Sequence, residues 1–145
     1  MKILVINGPN INMLGIREPE IYGREDYNSL CETVRLHAEK CGVGVEIYQS
    51  NHEGDLIDKI QSAYGVFDGI VINPAGYTHT SVALLDALKA VAIPAVEVHI
   101  SDITEREPFR SASYVRSACL ATVIGRGIKG YCDAMDILIA KKGGR

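Results

Sequence analysis

Short apolar runs alternate with amphipathic stretches along the whole chain, and this alternation limits the folds available to it. Short apolar runs bounded by turn residues predict β-strands, whereas longer stretches with one apolar face predict α-helices. The predicted strands span residues 2–6, 43–48, 69–72, 95–98 and 119–124. The predicted helices span residues 28–41, 54–64, 81–92 and 130–140.

Strands that alternate with helices predict a parallel sheet, because parallel neighbours need crossover connections that pack on the sheet as helices. Five such strands indicate an α/β fold, a flavodoxin-like three-layer αβα sandwich with a five-stranded parallel sheet in the order 2-1-3-4-5. In sheets of this kind, ligands bind beyond the carboxyl ends of the strands, near the point where the strand order reverses. We therefore expect the functional site at that edge.

Length and charge exclude several classes of function. The chain has 145 residues and a formal net charge of −3, so we expect one domain over residues 1–145. Its Lys and Arg residues are scattered, which disfavours a nucleic-acid partner. No apolar run approaches the ~20 residues of a membrane span, and the first residues lack a signal-peptide pattern. We expect a cytoplasmic protein with a small-molecule partner, no membrane partner and a solvated, frayed tail at residues 141–145.

The cysteines give no metal-binding signature. Cys31, Cys41, Cys119 and Cys132 are widely spaced and form no C-x-x-C pair, which disfavours a metal site or a disulfide framework. We expect reduced thiols, and we interpret His37, Cys41 and His52 as surface or packing residues.

The connection after the first predicted strand is long. Residues 10–24 form it, and a strand-to-helix connection of this length is typical of an active-site lid. The segment contains Arg17 and Tyr22. A tyrosine is a base only as the phenolate, and lowering its pKa from ~10 to near neutrality requires roughly 4 kcal/mol, which a nearby guanidinium can supply. Alternatively, Tyr22 packs at the core edge and Arg17 is solvated.

The end of the fourth predicted strand offers an acid and an anion pocket. Glu97 and His99 lie two residues apart, so they face the same side of the sheet. A carboxylate can orient an imidazole and favour its protonated form, as a general acid requires. Alternatively, the two residues form a purely structural pair at the strand end. The backbone amides of Ile100 and Ser101, with the Ser101 hydroxyl, could bind a carboxylate.

Further polar residues follow the third and fourth predicted strands. Asn73 ends the third strand, and His79 precedes a predicted helix whose N-cap is Thr78 or Ser81. Three charged residues each have two interpretations. Asp86 is either solvated and paired with Lys89 or in contact with another subunit, and Arg106 and Arg110 are either surface charges or ligands for hydroxyl or carboxylate groups.

Absent motifs narrow the chemistry. The sequence contains no G-x-G-x-x-G after the first strand, no G-x-x-x-x-G-K-[ST] and no G-x-S-x-G. Dinucleotide, nucleoside triphosphate and serine-hydrolase functions therefore lose their main support. No lysine lies in the motifs at the strand ends, which disfavours a Schiff base.

In this combination the motifs resemble those of the type II 3-dehydroquinate dehydratases of the shikimate pathway. Each motif alone is weak evidence, but the ordered set is specific and covers nearly the whole chain. The motifs are NGPNIN with LGIREPEIYG (residues 7–23), QSNHEGDLID (49–58), NPAGYTHTSVALLDAL (73–88), EVHISD (97–102), REPFRSASY (106–114) and GIKGY (127–131).

The resemblance implies a flavodoxin-like fold, a homododecamer built from trimers, and cofactor-free, metal-free anti elimination of water from 3-dehydroquinate. It implies that Tyr22 is the base, Arg17 stabilises the transition state, His99 is the general acid, Glu97 orients His99, and Asn10 holds a water at the enolate oxygen. It also implies a set of substrate ligands, namely Asn73, Ile100, Ser101, His79, Arg110, Arg106 and, from an adjacent subunit, Asp86.

Three residues depart from the common pattern of that family: Leu85, Pro108 and Arg126. The first and third concern subunit interfaces rather than chemistry. The alternative function is a non-catalytic flavodoxin-like module that binds a small anionic ligand at the same strand ends. A titratable phenol beside an Arg distinguishes the two, because a ligand sensor has no need for one. Both the biosynthesis of aromatic precursors and the breakdown of quinate use this reaction.

Overall fold

The central sheet has five parallel strands, as the alternating pattern predicted. The computed structural model describes residues 1–16 and 25–144. The strands are β1 (Lys2–Asn7), β2 (Gly44–Gln49), β3 (Gly69–Asn73), β4 (Ala95–His99) and β5 (Ala121–Ile124). They are ordered β2-β1-β3-β4-β5, so both the fold class and the strand order are confirmed. Within this part of the chain there are four α-helices, α1 (Tyr27–Cys41), α2 (Glu53–Ser62), α3 (Val82–Val91) and α4 (Lys129–Gly143).

Two apolar clusters pack on opposite faces of the sheet. One joins Ile3 and Val5 of β1 to α1 and α4. The other joins Leu4 and Ile6 of the same strand to α2 and α3. Successive side chains of a strand point to opposite faces, so a strand that is apolar throughout packs against helices on both sides. This produces the three-layer sandwich.

Local signals set the helix ends. The Asp26 carboxylate accepts the Ser29 amide at 2.8 Å and caps α1, while Gly42 ends that helix in the left-handed conformation with φ 70°. The Ser81 hydroxyl accepts the Leu84 amide at 3.0 Å, so Ser81 is the N-cap of α3.

Some boundaries differ from the sequence expectation. The last strand begins at Ala121 because residues 115–118 form a 3-10 turn, which the Cys119 amide closes on the Arg116 carbonyl at 3.0 Å. The last helix continues to Gly143, so residues 141–143 are helical rather than a frayed tail. Lys142 Nζ lies 3.1 Å from Asp68 Oδ1 and anchors this last turn.

The described residues contain no helix long and apolar enough to cross a membrane. All four cysteines are free.

Candidate functional site

A cavity of about 200 Å³ opens at the carboxyl ends of β1, β3 and β4, at the switch point where such folds bind ligands. Eight of the twelve residues that the sequence suggested line it: Asn10, Asn73, His79, His99, Ile100, Ser101, Arg106 and Arg110. Pro9, Ile11, Ala75, Gly76 and Ile103 complete its lining. The edge predicted from strand order is therefore where these side chains meet.

His99 presents one ring nitrogen to this pocket. Its Nε2 lies 2.5 Å from Oε2 of Glu97, and a carboxylate can only accept, so Nε2 carries the proton. Nδ1 has no hydrogen-bond partner among the described residues. His99 is 4% exposed, so Nδ1 is the atom available for proton exchange with a ligand.

Glu97 is a fully buried carboxylate with four side chains around it. Besides His99, Arg116 donates from Nε at 3.0 Å, Ser113 from its hydroxyl at 2.7 Å and Thr122 from its hydroxyl at 3.1 Å. Burial alone would raise the pKa of Glu97, but the hydrogen bonds from His99, Arg116 and Ser113 outweigh it and lower the pKa to about 2. The carboxylate therefore stays ionised at neutral pH and accepts the hydrogen bond from His99 Nε2.

Asn73 is fixed on both sides of its amide. Its Oδ1 accepts the Ala75 backbone amide at 3.1 Å, and its Nδ2 donates to the Tyr131 hydroxyl at 2.9 Å. The second Nδ2 hydrogen remains for a ligand. Ala75 itself has φ 54°, a strained value for a residue with a Cβ, and such strain is found where a site determines the backbone path.

The end of β2 supports the start of the long loop. Asn10 has φ 70°, and its backbone amide donates to Asn51 Oδ1 at 3.0 Å. Gln49 Nε2 donates to the Gly8 carbonyl at 3.1 Å. The Tyr77 hydroxyl donates to the Asn51 carbonyl at 3.0 Å. These contacts hold Asn10 at the mouth of the pocket.

His79, Arg106 and Arg110 line the cavity from the segments that follow β3 and β4. His79 Nδ1 lies 2.6 Å from the Ala112 carbonyl, so Nδ1 carries the proton and Nε2 of the neutral ring can accept a hydroxyl. Burial lowers the pKa of His79, and the bond to Ala112 only partly offsets this. Arg110 Nε lies 2.6 Å from Glu107 Oε2. Because both Arg residues line the cavity, they are not simply solvated surface charges.

Of the other four suggested residues, two lie outside the described residues and two do not line the cavity. Arg17 and Tyr22 lie outside the residues that the structure describes. Asp86 is exposed on α3, is absent from the pocket lining, and pairs with neither Lys89 nor any other described residue. Glu97 lies behind His99 rather than in the lining.

Sequence reasoning missed the residues that support the site. Arg116, Ser113 and Thr122 reach Glu97 from the segment after β4 and from β5, and Tyr131 reaches Asn73 from α4. Only the burial of a charged residue within an apolar strand indicated that Glu97 needs donors. No spacing rule identifies which ones supply them.

The arrangement combines a proton donor, a fixed amide and cationic side chains around one small cavity. These groups can bind an anionic polyol and protonate a leaving oxygen. Within residues 1–16 and 25–144, no set of three metal-ligating side chains lies at the cavity.

Comparisons with known proteins agree with this chemistry. A family model described as dehydroquinase class II matches residues 1–139. The 3-dehydroquinate dehydratase 1 of Corynebacterium efficiens is 54% identical over 137 residues, covering 94% of this chain and 91% of that protein. The 3-dehydroquinate dehydratase of Clostridium acetobutylicum is 54% identical over 138 residues, covering 95% and 96%.

Solved structures show the same similarity. The crystal structure of type II dehydroquinase from Butyrivibrio crossotus superposes with a TM-score of 0.94 at 53% identity, covering 96% of this chain and 97% of that one. The type II dehydroquinase from Propionibacterium acnes gives a TM-score of 0.91 at 39% identity, with 94% of each chain covered.

Proposed function

The chain belongs to the class II dehydroquinase family, and we propose that it removes water from 3-dehydroquinate by an anti elimination through an enolate. The product is 3-dehydroshikimate, and the reaction serves the shikimate pathway or quinate breakdown. The observation that carries this proposal is the Glu97–His99 pair at the cavity. In this pair, His99 is a buried acid that the charge of Glu97 stabilises. It lies beside groups that can bind a carboxylate and hydroxyls.

The first step removes a proton from C2, next to the ketone. Tyr22 acts as the base in its phenolate form, with Arg17 lowering its pKa and stabilising the transition state. The electron pair of the C2–H bond moves toward C3 and places negative charge on the ketone oxygen. A water held by Asn10 donates a hydrogen bond to that oxygen. The left-handed backbone of Asn10, secured by Asn51, supports this role.

The second step expels the C1 hydroxyl. The enolate collapses to form the C1–C2 double bond, and His99 protonates the departing hydroxyl through Nδ1, so that it leaves as water. The ionised Glu97 stabilises the imidazolium before transfer and keeps Nε2 protonated after it. Tyr22 returns its proton to solvent and His99 regains one, so the reaction consumes no cofactor and no metal.

The substrate is held through its carboxylate and hydroxyls. Asn73 and the backbone amides of Ile100 and Ser101 bind the carboxylate, since these donors lie together at the ends of β3 and β4. His79, Arg106 and Arg110, in the segments that follow β3 and β4, bind the ring hydroxyls.

Asp86 completes the site of an adjacent subunit in a homododecamer arranged as a tetramer of trimers. Its exposure on α3, without an ion pair in the described part of its own chain, supports a contact across an interface. Solution mass by light scattering tests the assembly, and a monomer at working concentration contradicts it.

Adding the chelator-treated protein to 3-dehydroquinate tests the function. We expect the ultraviolet absorbance of a conjugated enone to grow at a rate proportional to protein concentration. His99→Ala is the matched variant, and we expect it to lose about 10²-fold or more in kcat. If absorbance does not rise above the uncatalysed rate, the chain is not a dehydratase.

A further inference from the structure

A second group of chemically reactive side chains lies on the outer helical layer, away from the catalytic cavity. His37 Nε2 lies 2.7 Å from Asp136 Oδ1 and 3.6 Å from Cys41 Sγ. The three ligand atoms all lie within 4.8 Å of one another. Cys41 and Asp136 are exposed, and the His37 side chain is 19% exposed, so solvent reaches the cluster.

Helix geometry explains how these residues meet. His37 and Cys41 lie four residues apart on α1, which places them on one face of that helix. Asp136 lies on α4, and both helices pack on the same face of the sheet. The sequence alone indicated only surface residues here, because Asp136 is 99 residues from His37 and only the fold brings them together.

We propose that His37, Cys41 and Asp136 bind a divalent transition-metal ion, with Zn²⁺ the preferred ion and water as the fourth ligand. A nitrogen, a thiolate sulfur and a carboxylate oxygen form a ligand set typical of zinc. Zn²⁺ binding displaces the thiol proton of Cys41 to solvent, and His37 binds through neutral Nε2 while its other ring nitrogen keeps a proton.

The two separations that involve His37 suit a tetrahedral ion after a small adjustment. Zinc bonds of ~2.0 Å to nitrogen and oxygen and ~2.3 Å to sulfur place neighbouring ligand atoms roughly 3.3–3.6 Å apart. The Cys41–His37 separation of 3.6 Å already fits. The His37–Asp136 separation of 2.7 Å is that of a hydrogen bond and must widen by about 0.6 Å to fit those bond lengths. Asp136 is exposed, so rotation of its side chain can provide this without moving the helices.

Cys132 is a neighbouring thiol that the proposal leaves out of the ligand set. It lies one helical turn before Asp136 on α4 and is half-buried. Its sulfur does not belong to the described group of ligand atoms that lie within 4.8 Å of one another, which His37, Cys41 and Asp136 form. Cys132 therefore provides a matched control cysteine on the same pair of helices.

Zinc titration of the full chain, stripped with a chelator and kept reduced, tests the site. We expect calorimetry to give one bound Zn²⁺ per chain. Co²⁺ in its place should produce the thiolate-to-cobalt charge-transfer absorbance. Zn²⁺ should also raise the unfolding temperature, because it binds the folded state. Cys41→Ser, His37→Gln and Asp136→Asn should each raise the Zn²⁺ Kd by roughly tenfold or more.

The controls separate this site from unspecific binding. Cys132→Ser and Glu39→Gln, an exposed acid on α1, should leave the Zn²⁺ Kd unchanged. Turnover of 3-dehydroquinate and the circular dichroism spectrum should match the wild type in every variant, which shows that each one folds. The absence of saturable binding overturns the proposal. So does unchanged binding in Cys41→Ser, or a loss in Cys132→Ser equal to that in Cys41→Ser.

Discussion

The hydroxyl of Tyr131 lies between Asn73 and Asn7, accepting from Asn73 Nδ2 at 2.9 Å and donating to Asn7 Oδ1 at 2.7 Å. Tyr131 is fully buried, and its phenol reaches from α4 to the ends of β1 and β3. The orientation of the Asn73 amide in the cavity therefore depends on a side chain that does not line it. Tyr131 is a positioning residue for the proposed carboxylate site.

Tyr131→Phe should weaken substrate binding more than chemistry. Removing the hydroxyl leaves two buried amides without their partner, which should lower the free energy of unfolding by about 1–3 kcal/mol. The Asn73 amide should lose its fixed direction, so we expect KM for 3-dehydroquinate to rise several-fold while kcat changes less. Steady-state kinetics and denaturant unfolding measure both effects. Tyr64→Phe, at a residue 72% exposed, is the control, and an unchanged KM in Tyr131→Phe would contradict this role.

Glu97 should make stability depend on acid pH. Its folded-state pKa of about 2 lies below the ordinary value of 4.5, so its contribution is fully present above pH ~4.5 and is lost as pH falls from there towards 2. Glu97→Gln removes this titration and weakens the donor network, with an expected cost of a few kcal/mol at neutral pH. Urea unfolding at several pH values should show the wild type and the variant converging as pH falls below 4.5.

A control substitution at an exposed acidic residue distinguishes this effect from general acid denaturation. Glu39→Gln, at an exposed position on α1, should follow the wild type at every pH, since both keep the Glu97 network. Parallel curves for wild type and Glu97→Gln would rule out the ionised, hydrogen-bonded state of Glu97.

Much of the fold was predictable because local patterns in the sequence determine where the strands and helices form. Apolar strands such as β1 and β3 are buried on both faces, which makes them recognisable as short continuous runs. The predicted ends of helices were less accurate where tertiary contacts determine them. The ion pair between Lys142 and Asp68 joins α4 to a residue far away in sequence, and no local signal reports it.

The site was predictable where one strand end carries two functional groups, as with Glu97 and His99. It was not predictable where the partner comes from another element. Arg116 and Ser113 reach Glu97 from a segment of 3-10 turns, whose path depends on packing against α3 rather than on periodicity. The cluster around His37 was missed for the same reason.

Tyr22→Phe should abolish turnover while leaving substrate binding largely intact. The proposed base would be lost without a change in size, so kcat should fall by about 10²-fold or more. Calorimetry with 3-dehydroquinate should give a Kd near that of the wild type, and Tyr64→Phe again provides the control. Near-normal turnover would remove Tyr22 as the base, and a loss of binding equal to the loss of turnover would assign it to binding instead.

Gly8→Ala should destabilise the chain because β1 and β3 approach closely beneath the cavity. A Cβ at Gly8 would lie 2.4 Å from the Pro74 carbonyl oxygen and 2.7 Å from its carbon, both backbone atoms that cannot move aside alone. The Gly8 amide also donates to the Asn73 carbonyl at 2.8 Å, so separating the strands would move Asn73. We expect a loss of about 1–3 kcal/mol in the free energy of unfolding, together with weaker substrate binding.

Gly54→Ala is the control for this prediction, since a Cβ there meets nothing within 4 Å. That substitution should stabilise α2 by about 0.5–1 kcal/mol. Equal stability of Gly8→Ala and the wild type in denaturant unfolding would show that the two strand ends are not held this closely.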